Sequence, residues 1–374
     1  MMRHILKAAR VFTGEAMLAD HAVAIEGTKI AAVFPSNQLR AGADVTDLGD
    51  GILAPGFIDV QVNGGGGVNL NDTPTVNGVL TIAQAHRQFG TTGLLPTVIT
   101  DAPEVLLAAT EAVRNARAVD ASVLGIHIEG PFLDPARKGA HEAQFIRELT
   151  AEDVSWLTDL SCGEVLLTVA PNKVNAQDIA ALTGAGIHVC LGHAEASFAE
   201  AVAALDAGAS GFTHLFNAMS QMNGREPGMV GAAFASNAYA GLIADGFHVH
   251  EALLRLAILA KPGKIMLVTD AMCTAAGGPD HFQLQGREVR VNGGRLELPD
   301  GTLAGSNLTM DEAVRFCVNR LGLPLEQVLP LASANSAQFL GLGDRLGHIK
   351  PGHLASLVLL DKDLNVQKTW VEGA

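Results

Sequence analysis

The stretch LAPGFIDVQVNGGGG, residues 53–67, is a continuous apolar run that ends in a turn of four glycines. It is the first of eight short apolar segments, and the other seven lie at 92–100, 122–130, 164–171, 186–193, 210–216, 240–246 and 264–270. Between most of these segments, apolar residues recur every three or four positions, which predicts helices over 102–119, 175–186 and 197–208. Continuous apolar strands are typical of a parallel sheet with both faces covered. Eight such strand and helix units predict an α/β fold, a (β/α)8 barrel of the TIM type.

Both ends of the chain show a different pattern, in which short alternating strands and turns replace the long helices. We therefore expect residues 1–52 and 345–374 to form one small β-sandwich domain, and residues 53–344 to form the barrel. The segment 281–301 contains an Asn-Gly-Gly turn, which predicts a β-hairpin inserted after the eighth strand. A doubly wound open sheet is the alternative to the barrel, but no G-x-G-x-x-G turn opens the first helix.

The composition argues against several classes of partner. The chain has 374 residues, of which 48% are hydrophobic, and 39 acidic against 25 basic residues give a formal net charge of −14. This charge repels nucleic acids and anionic membranes, so we expect neither as a partner. The four cysteines have no C-x-x-C spacing, and the N-terminal residues lack the pattern of a signal peptide. A cytoplasmic protein is therefore expected.

Ionisable side chains lie at four of the predicted strand ends. Glu129 ends the third strand, His193 the fifth, His214 the sixth and Asp270 the eighth. A single histidine at a strand end is more often a hydrogen-bonded core residue than a ligand, but the carboxyl ends of barrel strands share one face, where the four would meet. One carboxylate and two imidazoles suit a catalytic zinc or iron with an open water position. The second carboxylate would act on that water.

Six longer blocks resemble the N-acetylglucosamine-6-phosphate deacetylase family of the amidohydrolase superfamily. They are GIHIEGPFLDPARKGAH (125–141), LGHAEASFAEA (191–201), GFTHLFNAMSQMNGREPGMVGAAF (211–234), ADGFHV (244–249), LVTDAM (267–272) and LAGSNLTM (303–310). The resemblance implies that Glu129, His193 and His214 bind the metal, that Asp270 is the general acid and base, and that His141 contacts the acetamide carbonyl. The positions that match sugar and phosphate contacts in the family are Gln61, Ala140, Asn217, Ala218, Arg225, His248, Leu303, Ala304, Gly305 and Ser306.

The function that this resemblance implies is metal-dependent deacetylation of N-acetylglucosamine 6-phosphate, which yields glucosamine 6-phosphate and acetate. Members of the family are commonly dimers, so a homodimer is expected, in which Arg225 or His248 serves either its own site or that of the neighbouring subunit. Without the resemblance, Arg225 would read as one half of a surface salt bridge. The alternatives are a deacetylase of N-acetylgalactosamine 6-phosphate, an amidohydrolase for another acylated substrate, and a non-enzymatic sensor that binds a sugar phosphate.

The first strand bears on the number of metal ions. Its glycine turn lacks the lysine and hydroxyl of a phosphate-binding P-loop. Many amidohydrolases have a His-x-His pair at the end of this strand, and the corresponding residues here are Asp59 and Gln61, while the fourth strand has no lysine that would be carbamylated. We therefore expect one divalent metal per active site, with zinc first and iron, cobalt or manganese as alternatives. Gln61 would approach this metal only through a bound water or the substrate.

Overall fold

The structure, a computed structural model, describes residues 3–374. Its strands are β1 Arg3–Phe12, β2 Met17–Glu26, β3 Lys29–Pro35, β4 Val45–Asp47, β5 Ile52–Pro55, β6 Phe57–Val62, β7 Gly64–Gly65, β8 Val68–Asn69, β9 Thr91–Ile99, β10 Gly125–Glu129, β11 Glu164–Val169, β12 His188–Leu191, β13 Gly211–Phe212, β14 Tyr239–Leu242, β15 Ile265–Leu267, β16 His281–Leu284, β17 Arg287–Asn292, β18 Arg295–Glu297, β19 Leu357–Leu360 and β20 Val366–Trp370. Its α-helices are α1 Val76–Arg87, α2 Pro103–Arg117, α3 Ala151–Thr158, α4 Ala176–Gly184, α5 Phe198–Asp206, α6 Gly228–Ala235, α7 Glu251–Ala260, α8 Met310–Asn319, α9 Leu325–Val328 and α10 Ala334–Phe339.

Eight parallel strands form the central sheet, in the order β6, β9, β10, β11, β12, β13, β14 and β15. Each strand is hydrogen-bonded to the next one of this sheet along the chain, as successive β/α units require. Between β15 and β6 the sheet is joined by a bridge from Val62 to Ala271 and by a hydrogen bond, 2.9 Å long, from the Asp270 N–H to the Gln61 carbonyl. The predicted eight-stranded barrel is therefore confirmed, and the open sheet is not observed.

Several of the helices that cover the barrel begin at side-chain caps, although α2 and α6 do not. Thr75, Asn175 and Ser197 accept hydrogen bonds from backbone N–H groups in the first turns of α1, α4 and α5, which satisfies donors that the helix leaves free. The predicted segments 175–186 and 197–208 include these capping residues, so the observed helices α4 and α5 begin one residue later. Within residues 3–374, no helix has both the length and the apolar composition needed to cross a membrane.

The two chain ends form one small β domain, as predicted, but its strands belong to a single sheet and not to the two sheets of the expected sandwich. Its strand order is β20, β19, β5, β1, β2 and β3, with β4 paired to β1, and it packs on a separate cluster of buried apolar side chains that includes Leu6, Val23 and Trp370. One detail differs from the expectation, because residues 52–55 pair with β19 and not with a barrel strand. The chain passes from this sheet to the barrel at Gly56, where a Cβ atom would lie 2.2 Å from the Thr92 hydroxyl oxygen.

The insertion at 281–301 has three antiparallel strands, β16, β17 and β18, whereas the sequence predicted a hairpin of two. The Asn-Gly-Gly turn joins β17 to β18, as expected. The additional turn is formed by Gln285 (φ 49°) and Gly286 (φ 80°), and two residues with positive φ are what a tight type I′ hairpin turn requires. Glutamine rarely adopts this conformation, so this turn could not be predicted from its residues.

Candidate metal and catalytic site

Three predicted ligands meet at the carboxyl end of the barrel. Glu129 is the last residue of β10, and His193 and His214 each lie two residues beyond the end of their strand. Oxygen Oε1 of Glu129 is 3.1 Å from Nε2 of His193 and 3.0 Å from Nε2 of His214, and the two Nε2 atoms are 2.9 Å apart. Of the described residues, these form the one group whose ligand atoms converge as a metal ion requires.

The protonation of His193 decides whether these atoms fit a metal. Its Nδ1 lies 3.0 Å from the carbonyl oxygen of Arg137. A carbonyl oxygen can only accept, so Nδ1 donates its proton to Arg137, and Nε2, when it carries no proton, offers its lone pair to the centre of the cluster. The lone pairs of two nitrogens and a carboxylate oxygen at such short distances repel one another unless a proton or a cation lies between them, and this donor set suits a first-row divalent metal.

The charge of Glu129 follows from its partners. Burial by itself would raise the pKa of this carboxyl group, but the hydrogen bonds to His193 and His214 outweigh burial and hold the pKa well below its usual value. Burial likewise would lower the pKa of His214, yet the hydrogen bond to Glu129 raises it. Glu129 is therefore ionised at neutral pH, as a metal ligand must be.

The backbone at the site is strained. His193 (φ 47°), His214 (φ 31°) and Asp270 (φ 53°) all adopt the left-handed region, which non-glycine residues rarely occupy. Each such conformation costs on the order of 1–3 kcal/mol and persists only where the surrounding structure holds it. Strain at three candidate residues that follow three different strands is typical of a functional site.

Asp270 lies beside the ligand cluster. Its Oδ1 accepts hydrogen bonds from Nδ2 of Asn63 at 2.6 Å and from Nε2 of Gln61 at 3.2 Å. Burial raises the pKa of Asp270 to about 6, with a further contribution from the charge of Glu129. A carboxylate with a pKa in this range takes up and releases a proton near neutral pH, as a general acid and base must.

The first strand meets the site through Gln61 and Asn63, so the prediction of Asp59 and Gln61 as the pair was wrong. Asp59 lies deeper, where its carboxylate accepts from the Thr269 hydroxyl at 2.6 Å and from the Gln61 N–H at 3.1 Å. Burial raises the pKa of Asp59 to about 7. Residues 59, 61 and 63 point to the same side of the strand. The alternation of the sequence therefore predicted which side faces the site, but not how far along the strand the site lies. Asn63 was therefore missed.

His141 packs against the ligand cluster, with its ring centroid 4.4 Å from that of His193. Burial, with a contribution from the nearby His193, holds the pKa of His141 well below its usual value, so the ring is neutral. Its Nδ1 lies 2.8 Å from the hydroxyl oxygen of Thr100, a residue that the sequence did not single out although it follows β9 directly. The Thr100 hydroxyl has one proton, which can go to Nδ1 of His141 or to the backbone carbonyl of Glu129 at 3.2 Å. When it goes to Nδ1, the ring proton of His141 is on Nε2, where it can be donated to a carbonyl oxygen.

A cavity of about 620 Å³ opens over these side chains. It is lined by most of the predicted site residues, which are Glu129, Ala140, His141, His193, His214, Asn217, Ala218, His248, Asp270, Leu303, Ala304 and Gly305. Side chains that the sequence did not indicate also line it, among them Lys138, Leu284 and Asp300. Lys138 gives the cavity of this acidic chain a positive charge, and Leu284 belongs to the inserted sheet. The insertion therefore forms part of the cavity wall.

Three predicted substrate contacts are not among the cavity residues. Gln61 does not line the cavity but contacts the ligand cluster, because its Nε2 also donates to Oε2 of Glu129 at 3.3 Å. Ser306 is buried, and its hydroxyl donates to the Thr269 carbonyl at 2.6 Å. Arg225 is exposed on the loop that precedes α6. Gln61 and Ser306 therefore contact other residues of the barrel, whereas Arg225 does not line the cavity of its own chain.

Gly305 shows how closely the loop at 303–306 approaches the candidate base. Its φ is 68°, and a Cβ atom there would lie 2.6 Å from Cγ of Met272 and 2.9 Å from the carbonyl oxygen of Asp270. The N–H of Ser306 donates to the same carbonyl at 2.8 Å. Only glycine permits this approach, which holds the backbone of Asp270 from the side opposite β6.

Comparison with known proteins agrees with this architecture. The sequence profile of the amidohydrolase family matches residues 52–374, and that of the NagA composite domain matches residues 4–53. The N-acetylgalactosamine-6-phosphate deacetylase of Shewanella sp. (strain ANA-3) is 44% identical over 87% of this chain and 83% of its own length. The N-acetylglucosamine-6-phosphate deacetylase of Haemophilus influenzae is 34% identical over 100% of this chain and 99% of its own length.

A solved structure extends the similarity to the whole fold. The crystal structure of N-acetylglucosamine-6-phosphate deacetylase from Pasteurella multocida superimposes with a TM-score of 0.97 at 35% identity, and the match covers 100% of this chain and 99% of that one. The barrel, the sheet of the two chain ends and the Glu-His-His cluster thus accompany a family profile that spans most of the sequence. From this agreement we conclude that the chain belongs to the amidohydrolase family.

Proposed function

We propose that this protein hydrolyses the acetamide bond of N-acetylglucosamine 6-phosphate to give glucosamine 6-phosphate and acetate. The observation that carries the proposal is the position of Asp270, a carboxylate with a pKa near neutrality, in one cavity with the converging Glu129, His193 and His214. Binding of a sugar phosphate alone would need no general base, which disfavours a sensor. The similarity to deacetylases over nearly the full chain adds independent support.

In the proposed reaction, Glu129, His193 and His214 would hold one divalent cation, which supplies a Lewis acid and lowers the pKa of water. Asp270 accepts the proton of the water that attacks the acetyl carbon. As the C–N bond breaks, Asp270 returns this proton to the departing amine nitrogen, so one carboxylate is first base and then acid. The N–H of His141 donates to the acetyl oxygen, a contribution typically worth about 3 kcal/mol for a well-aimed donor.

The first strand supports one metal ion per site. The amide groups of Gln61 and Asn63 direct N–H donors toward the carboxylates of Glu129 and Asp270. The third acidic candidate, Asp59, accepts three hydrogen bonds from Thr269 and Gln61 and does not reach the cluster. A second cation would need ligand atoms with free lone pairs, whereas the side chains of Gln61 and Asn63 present N–H groups to the two carboxylates. Zinc is the proposed metal, with iron, cobalt or manganese as alternatives.

Phosphate recognition is proposed to involve two subunits. His248 and the backbone of Asn217 and Ala218 line the cavity of their own chain, whereas Arg225 is exposed and does not. We propose a homodimer in which Arg225 reaches the phosphate bound by its partner, because its guanidinium offers two parallel donors to such an anion. On α7, the leucines at 253, 256 and 259 are 40–53% exposed on one face, an apolar surface that supports a contact between subunits.

A mixing experiment tests this role of Arg225. Chains with Arg225→Ala and chains with Asp270→Asn, each nearly inactive alone, are co-expressed with different tags, and the mixed dimer is purified. If Arg225 serves the partner, one of the two sites of each mixed dimer is complete, and the purified mixed dimer regains about one half of wild-type activity. If Arg225 serves its own chain, no site is complete and activity does not return. Arg320→Ala, an exposed arginine paired with Glu251, is the matched control.

The reaction itself is tested by acetate release from N-acetylglucosamine 6-phosphate, from its galactosamine epimer and from unphosphorylated N-acetylglucosamine. The epimer is a second candidate substrate, because the Shewanella relative at 44% identity is named for it. We expect the highest kcat/KM with N-acetylglucosamine 6-phosphate, and a higher value for the epimer would reverse the assignment. Equal rates with the unphosphorylated sugar would contradict both assignments.

The cytoplasm is the proposed location. All four cysteines, at 162, 190, 273 and 317, are buried and free. Burial raises the pKa of Cys190 and Cys317 to about 12, so neither thiol is ionised or poised for disulfide chemistry at neutral pH. Buried free thiols of this kind accord with a reducing compartment.

A further inference from the structure

Gln61 of β6 and Asn63, which follows this strand, hold Asp270 at three points across the seam of the barrel, where β15 and β6 meet. The Asp270 N–H donates to the Gln61 carbonyl at 2.9 Å, and Oδ1 of Asp270 accepts from the side chains of Gln61 and Asn63. At this seam β15 and β6 share one isolated bridge in place of a continuous ladder of hydrogen bonds. The candidate base is therefore anchored where the barrel sheet itself supplies little support.

The orientation of Asn63 is fixed by chemistry. Its Nδ2 lies 2.6 Å from Oδ1 of the Asp270 carboxylate, and the reverse amide orientation would bring two acceptor oxygens together at that distance. In the observed orientation, Oδ1 of Asn63 is buried and has no hydrogen-bond partner among the described residues. A buried amide with one oxygen unsatisfied costs stability, so stability alone does not explain an asparagine at this position.

From this geometry we propose that Asn63 is a positioning residue, which holds Oδ1 of Asp270 so that Oδ2 faces the attacking water and the departing amine. The inference rests on the proposed deacetylation. Asn63 and Gln61 differ in what else they contact, since Gln61 also donates to the ligand Glu129, whereas Asn63 donates to Asp270 alone. Asn63 therefore acts on the proton transfer and leaves the metal ligands untouched.

The test compares Asn63→Leu with Asn335→Leu, a control on α10 whose hydrogen bond reaches the start of β15, the strand that precedes Asp270. Asn335 is also a buried asparagine with a 2.6 Å hydrogen bond, which it donates to the carbonyl of Ile265 at the start of β15. For Asn63→Leu we expect kcat to fall by about 10- to 100-fold, as is typical when support for a catalytic group is lost, with KM, metal content and Tm retained. For Asn335→Leu we expect the reverse, a lower Tm with kcat retained.

A double-substitution cycle separates positioning from general damage. On the Asp270→Asn background, Asn63→Leu should cause no further loss of kcat, because the group that it positions no longer carries the proton. Wild-type kcat in Asn63→Leu, a loss of metal or Tm that accompanies the lower kcat, or a further loss on the Asp270→Asn background would each overturn the inference. A wild-type protein that releases no acetate would instead overturn the proposed function, and the positioning role with it.

Discussion

We expect replacement of Asp270 by asparagine to lower kcat by at least about 1,000-fold, because in the proposed mechanism the side chain serves as base and then as acid, and each role typically contributes about 10²–10⁴-fold. The metal content stays at the wild-type value, since Asp270 lies outside the three-ligand cluster. Acetate release and elemental analysis of the same purified variant measure both quantities. Asp311→Asn is the control, since Asp311 is also buried but pairs with Thr309 and Arg315 on α8.

The pH profile provides a second measurement of the same role. Burial and the charge of Glu129 raise the pKa of Asp270 to about 6, and the base must be ionised to accept a proton. Activity is therefore lost as the pH falls, and a bound cation, which favours the ionised form, moves the midpoint of the acid limb to pH 6 or below. Asp270→Asn should lack this limb. Substantial activity in that variant would contradict the mechanism.

We expect that removal of the metal by a chelator abolishes acetate release and that one equivalent of divalent zinc per chain, the proposed metal, restores it. The physical reason is the cluster itself, in which the Nε2 atoms of His193 and His214 lie 2.9 Å apart beside an ionised Glu129. The chelated protein should also unfold at a lower temperature, since an ion that binds only the folded state stabilises that state. Titration of the metal-free protein, followed by activity and calorimetry, measures both effects.

The barrel contains a matched control for the ligands. His188 lies 3.2 Å from Glu164, so it forms a second histidine and glutamate pair on neighbouring strands, but at the opposite end of the barrel. His193→Gln should lose both metal and activity, whereas His188→Gln should keep both. A reproducible stoichiometry of two metal ions per chain would contradict the single-metal site.

The barrel and its ligand cluster were accessible from sequence because two strong rules act together. Continuous apolar strands indicate a parallel sheet that is covered on both faces. Polar residues at the carboxyl ends of such strands lie at the same edge of the sheet, so Glu129, His193, His214 and Asp270 could be predicted to lie close together. Each rule depends on the local pattern of one segment. Neither requires knowledge of which residues lie opposite in the fold.

The errors have the opposite cause, because they depend on partners that are distant in the chain. Residues 52–55 are as apolar as the barrel strand that follows them, and only pairing with β19, some three hundred residues later, assigns them to the other sheet. Asn63 was not predicted because the alternation of side chains shows which side of a strand faces the site, but not how far along the strand the site extends. Arg225 lies in an exposed loop, where no packing within the chain constrains its direction.

The passage of the chain through Gly56 has a consequence for how such proteins can be recombined. The strand that closes against β19 and the strand that carries Gln61 and Asn63 are one uninterrupted segment with a single glycine between them. The two sheets are therefore not interchangeable modules, although separate family profiles meet at residues 52 and 53. A chimera joined at that point would connect a β5 from another protein directly to β6. A change in the position of β5 would then also shift Gln61 and Asn63 in the active site.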